Sequence, residues 1–165
     1  MANTYCKIAV HVIFAVKNRN ALIPFNELSL FHRFINGVVS TYDEKCFVYA
    51  VGGTPNHVHL LINIPPAVSL SDMVKEIKVA SSKFAATRLS IPFKFEWQRG
   101  FAAISVSPSN IETVRRYINN QVEHHHNVSL RSEMTSMFQR AGLEFDEQYM
   151  FEAVSYTHLR AHETL

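Results

Sequence analysis

Cysteine is scarce in this chain of 165 residues: only Cys6 and Cys46 occur, and both lie in apolar, strand-like segments. A secreted domain of this size that depended on disulfide bonds would normally contain more cysteines. The first residues also lack the charged region and following apolar region that a secretory signal requires. We therefore expect reduced thiols and a cytoplasmic location.

Long apolar stretches and a strong charge of one sign are missing as well. His11, Lys17 and His57 interrupt the most hydrophobic segments well short of a membrane span, so no membrane association is expected. The formal net charge is only +2, with nine histidines counted as neutral. Proteins that coat duplex nucleic acid usually have a strongly basic balance. A nucleic-acid partner would thus require locally concentrated charge and recognition of shape.

The chain does contain enough apolar material for one folded domain, since 47% of its residues are hydrophobic and 18% are charged. Apolar runs predict strands over residues 5–16, 46–51, 57–64, 93–97 and 101–106. Helical spacing and capping residues predict helices that begin near Asn26, Ser69 or Ser71, Ser109 and Leu130. The third helix is expected to run to about His126, and the fourth to end at Gly142.

The order of the elements up to the third helix is strand, helix, strand, strand, helix, strand, helix. The short connection after Gly53 predicts a hairpin between the second and third strands. This order is the split βαβ pattern of an α+β, ferredoxin-like fold, in which helices cover one face of an antiparallel sheet. We expect a single domain over residues 1–152.

A His-x-His motif, His57-Val58-His59, lies in the third predicted strand. Successive side chains of a strand alternate between faces, so both imidazoles point the same way and could share a metal ion. Taken alone, the pair is more typical of polar residues on the solvent face of a half-buried strand.

Tyr117 and Gln121 form the second motif. They are four residues apart on the third helix and therefore lie on one face of it. A tyrosine beside an apolar stripe is usually a packing residue, and a glutamine one turn later is usually a surface residue. The histidines at 124–126 are interpreted as structural or DNA-facing residues, not as metal ligands.

Together, the His-x-His strand and the Tyr-x-x-x-Gln helix resemble the single-tyrosine HUH transposases of the insertion sequence two hundred type, with the REP-associated tyrosine transposases as relatives. The resemblance extends from Tyr5 to about residue 152 and includes segments 14–17, 81–84, 97–101 and 117–125. One departure is Asn56, where an aspartate often precedes the first histidine. Residues 153–165 resemble translated adapter sequence, and we interpret them as a non-native tail.

The resemblance implies a dimeric, ferredoxin-like enzyme that cleaves and rejoins single-stranded DNA at hairpin-bearing element ends. Tyr117 would be the nucleophile that forms a 5′-phosphotyrosine, and His57, His59 and Gln121 would hold Mg²⁺ or Mn²⁺. Ligand preferences alone would favour zinc for two imidazoles. No nucleotide cofactor is expected, because one phosphodiester is exchanged for another. Whether Tyr117 acts in its own subunit or in the partner's site stays open.

Basic side chains of the second and third helices are candidate phosphate contacts, although each is equally typical of a solvated helix face. The candidates are Lys75, Lys78, Lys83, Arg88, Arg115 and Arg116. Two other functions remain possible for such a chain: a non-catalytic module that binds hairpin nucleic acid, and a metal-dependent phosphoesterase. Only the transposase would form a covalent link between protein and DNA.

Overall fold

The computed structural model describes residues 3–146 and contains one four-stranded antiparallel sheet. The strands are β1 (Ala9–Ala15), β2 (Phe47–Thr54), β3 (His57–Asn63) and β4 (Ala102–Val106), in the order β2-β3-β1-β4. The helices are α1 (Leu28–Tyr42), α2 (Leu70–Arg88), α3 (Ile111–Asn119), α4 (Gln121–His124) and α5 (Leu130–Ala141). This arrangement confirms the predicted α+β, ferredoxin-like fold, including the hairpin of β2 and β3.

The main core lies between α1, α2 and one face of the sheet. Alternate residues of the central strands, such as Val12 in β1 and Leu60 in β3, are fully buried there. Phe31 of α1 and Met73 of α2 pack against them from above. Burying apolar surface in this way stabilises the fold by roughly 1.5–3 kcal/mol for each large side chain.

The opposite face of the sheet is also covered, by α3 and α5. Ile13 of β1 packs with Leu130 and Met134 of α5, and Leu61 of β3 packs with Ile118 of α3. The sequence predicted helices on one face of the sheet, and α1 and α2 lie there, but α3 and α5 also cover the other face. Both faces need a cover because the central strands are apolar on both sides.

α3 lies very close to β2, and a glycine makes this approach possible. A Cβ atom built on Gly52 would be 2.3 Å from the carbonyl oxygen of Ile118, a distance that real Cβ atoms essentially never show. The side chain of any other residue would therefore force α3 away from the strand. The glycine fixes the height of α3 above the sheet.

Several element boundaries differ from the predictions. β1 begins at Ala9, opposite Asn63, the last residue of β3, and does not extend back to Tyr5 as predicted. Residues 93–97 do not form a strand. An isolated bridge between Val16 and Trp97 pairs this segment with the end of β1. The capping box at Ser109 is wrong, because 108–110 is a 3₁₀ turn and α3 begins one residue after it.

Two helix ends agree with the sequence prediction. The Ser69 hydroxyl caps α2 by accepting a hydrogen bond from the backbone N–H of Asp72. Gly142 ends α5 in the left-handed conformation, with φ of 70°. The third predicted helix is not continuous to His126, because Asn120 leaves helical geometry between α3 and α4.

Some predictions concern residues beyond 146. The end of the domain at 152 and the non-native tail over 153–165 lie outside the described residues. Among residues 3–146, no helix has the length and hydrophobicity needed to cross a bilayer.

Candidate metal centre and nucleophile

The two histidines of β3 are buried on the sheet face that α3 and α5 cover. His57 and His59 are fully inaccessible to solvent, and their ring centroids are 5.0 Å apart. Val58, between them, points into the main core on the other face. The pair therefore does not lie on a solvent-exposed strand face, the alternative that the sequence left open.

α3 and α4 bring the predicted tyrosine and glutamine to this pair. Gln121, the first residue of α4, is buried and places its Oε1 at 2.8 Å from His57 Nε2. Tyr117, in the last turns of α3, has its ring centroid 5.8 Å from that of His59. All four residues of the predicted site thus meet within one chain.

A carboxylate from α5, which the sequence prediction did not include, lies at the centre of the cluster. Glu133 Oε1 is 3.1 Å from His59 Nε2, 3.0 Å from His125 Nε2 and 3.6 Å from His57 Nε2. Burial alone would raise the pKa of Glu133, but hydrogen bonds from His125 and His59 outweigh it and hold the pKa below its usual range. Glu133 is therefore ionised at neutral pH.

The second oxygen of Glu133 faces the tyrosine. The Tyr117 hydroxyl donates a hydrogen bond to Glu133 Oε2, and the amide of Gln121 donates another at 2.9 Å. His124 Nε2 lies 3.3 Å from the same oxygen. Burial and the neighbouring carboxylate raise the pKa of Tyr117 above its usual value, so the phenol is protonated at neutral pH.

His57 presents a lone pair to the cluster because of its tautomer. Its Nδ1 lies 2.6 Å from Asn56 Oδ1 and 2.9 Å from the Thr54 hydroxyl, which places the ring proton on Nδ1. The free Nε2 then faces Gln121 Oε1, another acceptor. If the oxygen and nitrogen of the Gln121 amide were exchanged, the amide oxygen would face Glu133 Oε2, which is also an acceptor. Two acceptors at this distance suit a cation between them, so the donor set fits a divalent ion.

The remaining histidine, His11 of β1, supports His59 from behind. His11 Nε2 lies 2.7 Å from His59 Nδ1, and burial, followed by the charge of His59, lowers the pKa of His11 to about 3. Burial also lowers the pKa of His59, and that of His57 well below its ordinary value. These imidazoles are neutral at pH 7, as metal ligands must be. The contact with His11 can fix the ring orientation of His59.

An open pocket gives access to the tyrosine from solvent. It has a volume of about 370 Å³ and is lined by His11, Ser105, Asn110, Tyr117 and Arg140, among others. Apolar side chains such as Ile104 and Met137 also line the pocket, and Arg140 is the cationic residue among them. The pocket therefore leaves one side of the Tyr117 side chain open to solvent.

Comparison with known proteins identifies the family. A family model for IS200-like transposases matches residues 4–121, which is most of the chain. The chain belongs to this family. A comparison with curated proteins gives no match.

Two solved structures resemble this IS200-like transposase. A candidate transposase from Deinococcus radiodurans R1 is 23% identical, with 73% of this chain and 95% of that chain covered and a TM-score of 0.54. A REP-associated tyrosine transposase bound to a REP hairpin is 14% identical, with 91% and 90% covered and a TM-score of 0.55. At these identities the likeness supports the fold.

The basic residues suggested as DNA contacts of the transposase are not equivalent. Lys78 is half-buried, and its ammonium group donates to the backbone carbonyls of Gln98, at 2.9 Å, and Gly100. Lys83 lies with Lys78 along an open groove of about 950 Å³. The other four candidates are exposed on the helix surfaces: Lys75, Arg88, Arg115 and Arg116.

Sequence reasoning missed Glu133 and His11, and it set aside the histidine triplet that contains His125. A signal for Glu133 was present: it falls at helical spacing within the buried stripe of α5, next to Met134. A carboxylate in such a stripe requires a partner. His11 carries a similar signal, because it interrupts a strand that is otherwise apolar.

Proposed function

We propose that this chain is a transposase that cleaves and rejoins single-stranded DNA at hairpin-bearing element ends. The observation that supports this is the convergence of the Tyr117 hydroxyl with the buried, neutral imidazoles of His57 and His59. A nucleophile beside a metal-ligand cluster is what phosphodiester exchange requires. The bound hairpin of the REP-associated transposase agrees with this substrate class.

His57 Nε2, His59 Nε2 and Gln121 Oε1 would hold the divalent ion, Mg²⁺ or Mn²⁺. When bound, such an ion polarises the phosphoryl oxygens and stabilises the charge of the departing 3′ oxygen. The positions of these side chains depend on β3 and on the start of α4. Asn56 and Thr54 hold His57 in the tautomer that leaves Nε2 free.

Tyr117 is the group that bonds to DNA. Its phenol oxygen forms a bond to phosphorus while the bond from phosphorus to the 3′ oxygen breaks, which gives a 5′-phosphotyrosine and a 3′-hydroxyl. Attack by a 3′-hydroxyl on this link later releases Tyr117 and joins a new strand. Each step exchanges one phosphodiester for another, so no nucleotide cofactor is needed.

We extend the proposal to the DNA contacts and the assembly. The exposed basic residues are candidates for holding the phosphate backbone: Lys75, Lys83, Arg88, Arg115 and Arg116. The family resemblance implies a homodimer. Within one chain Tyr117 is already close to His59, which supports action in the same subunit. Mixing Tyr117→Phe and His57→Ala subunits tests the other arrangement, because cleavage recovered in the heterodimer would require a shared site.

A labelled single-stranded hairpin DNA, incubated with the protein and Mn²⁺ and run on a denaturing gel, tests the proposal. We expect a covalent adduct that disappears in Tyr117→Phe and without metal. Tyr42→Phe, an exposed tyrosine on α1, is the matched control and should form the adduct normally. Cleaved DNA without an adduct would indicate a phosphoesterase, and binding without cleavage a non-catalytic module; either result would overturn the proposal.

A further inference from the structure

The two oxygens of Glu133 face different parts of the site. Oε1 is within 3.0–3.6 Å of three imidazole nitrogens, those of His57, His59 and His125. Oε2 accepts from the Tyr117 hydroxyl and the Gln121 amide. One carboxylate thus spans the distance between the candidate metal ligands and the nucleophile.

The spacing around Oε1 matches that of metal ligands. His57, His125 and Glu133 each offer a ligand atom, and the three atoms lie within 4.8 Å of one another. Neighbouring ligands of an octahedral ion with bonds of about 2.1 Å are about 3 Å apart. The separations of 3.0 and 3.6 Å between Oε1 and the two imidazoles are close to this value.

Burial makes a cation at this position favourable. The Glu133 side chain is 1% exposed, and an ionised carboxylate removed from water is costly unless a positive charge accompanies it. The imidazoles next to Oε1 carry a positive charge only when protonated. A divalent ion among these groups would supply the charge. It would replace the hydrogen bonds that His59 and His125 make to Oε1, and those two rings would then carry their proton on Nδ1, as His57 already does.

We propose that Glu133, through Oε1, and His125 complete the ligand set of the divalent ion, and that Glu133 Oε2 holds the Tyr117 hydroxyl beside it. This inference rests on the proposed function, since it assigns further ligands to the same ion. The three neutral ligands expected from the sequence would then be joined by one anionic ligand. The nucleophile and the ion would be positioned by the same side chain.

A carboxylate ligand also explains how a site rich in imidazole can take Mg²⁺ or Mn²⁺. Imidazole ligands suit zinc, whereas carboxylate and amide oxygens suit magnesium and manganese. With Glu133 Oε1 and Gln121 Oε1, the site offers two oxygen ligands beside the histidines. Removing the carboxylate should therefore weaken Mn²⁺ binding more than Zn²⁺ binding.

Calorimetric titration with Mn²⁺ and with Zn²⁺, without DNA, tests the inference on the full chain. We expect Glu133→Gln to lower the Mn²⁺ affinity at least about tenfold and the Zn²⁺ affinity less, since even residues outside the ligand set change metal affinity about 10- to 100-fold. Glu123→Gln, an exposed carboxylate on α4, should bind both ions like the wild type. An unchanged Mn²⁺ affinity in folded Glu133→Gln would overturn the assignment.

A second pair of variants serves if Glu133→Gln does not fold. His125→Ala should lose Mn²⁺ affinity, whereas His126→Ala, the exposed neighbour, should not. Equal affinity of these two variants would contradict the ligand set. Because the titration contains no DNA, it is independent of the adduct assay: normal Mn²⁺ binding without an adduct would refute the strand exchange and leave the ligands standing.

Discussion

Replacing Gly52 with alanine is expected to separate the two halves of the site. The new Cβ would lie 2.3 Å from the Ile118 carbonyl oxygen, whereas ordinary contacts begin at 3.4 Å. The atom it meets is backbone and cannot rotate away, so α3 and β2 must move apart by roughly 1 Å. Tyr117 directly precedes Ile118 and Gln121 follows it by three residues, so we expect both to move with it, away from the histidines of β3.

The expected effects follow from this displacement. Overpacking of this kind costs about 1–3 kcal/mol of folding free energy, which a urea denaturation series can measure. A misplacement of about 1 Å can lower the rate of a positioned reaction by about 10²-fold. We expect the rate of adduct formation by Gly52→Ala to fall to that extent, with a weaker Mn²⁺ affinity, because the Gln121 contact of 2.8 Å to His57 is lost.

Gly37→Ala is the matched control. Gly37 lies in α1, and a Cβ there would meet nothing within 4 Å. Alanine is favoured over glycine inside a helix by about 1 kcal/mol, so this variant should be as stable as the wild type or more so, with unchanged adduct formation. If Gly52→Ala formed the adduct as fast as Gly37→Ala, the idea that the height of α3 sets the site would be refuted.

Two further predictions concern groups outside the candidate metal centre. Lys78→Met should lower the free energy of unfolding by about 1–3 kcal/mol, because the carbonyls of Gln98 and Gly100 lose a charged donor. The control is Lys75→Met, at an exposed lysine of the same helix, which should change the free energy of unfolding by less than about 0.5 kcal/mol. Equal losses for the two variants in urea denaturation would contradict this prediction. Burial lowers the pKa of His32 from 6.5 to about 4, so the unfolded chain takes up the proton first as the pH falls below 6.5. At pH 5 the free energy of unfolding should therefore be about 2 kcal/mol lower because of this residue. The pH dependence of unfolding of His32→Gln should lack this loss, and equal pH dependences of the variant and the wild type would contradict the prediction.

The parts of the site that could be predicted are those that one element places by itself. Alternation along β3 puts His57 and His59 on one face, and the turn of a helix aligns Tyr117 with Gln121. The element order followed from apolar periodicity in the same way. These are local rules, and the chain obeys them even where α3 gives way to α4 at Asn120.

The missing parts depend on how distant elements pack. Glu133 follows His59 by 74 residues and meets it because α5 lies on β1, with Leu130 against Ile13. The apolar periodicity of α5 predicts which of its faces is buried, but not the strand against which that face packs. The histidines at 124–126 are a similar case. They were interpreted as structural or DNA-facing residues at a helix end, but His125 lies 3.0 Å from Glu133 because α5 packs next to α4.

Because side chains alternate along β1 and β3, each strand contributes apolar residues to the main core on one face and a histidine to the candidate site on the other. Val12 and Leu60 point into the main core, while His11 and His59, their neighbours in sequence, point into the candidate metal centre. A change at Val12 or Leu60 is expected to alter stability, and a change at His11 or His59 to alter the candidate site, although Ile13 and Leu61 on the histidines' face also pack under α5 and α3. The main core under α1 and α2 could therefore be stabilised at positions that do not contact the histidines, without replacing the reacting groups.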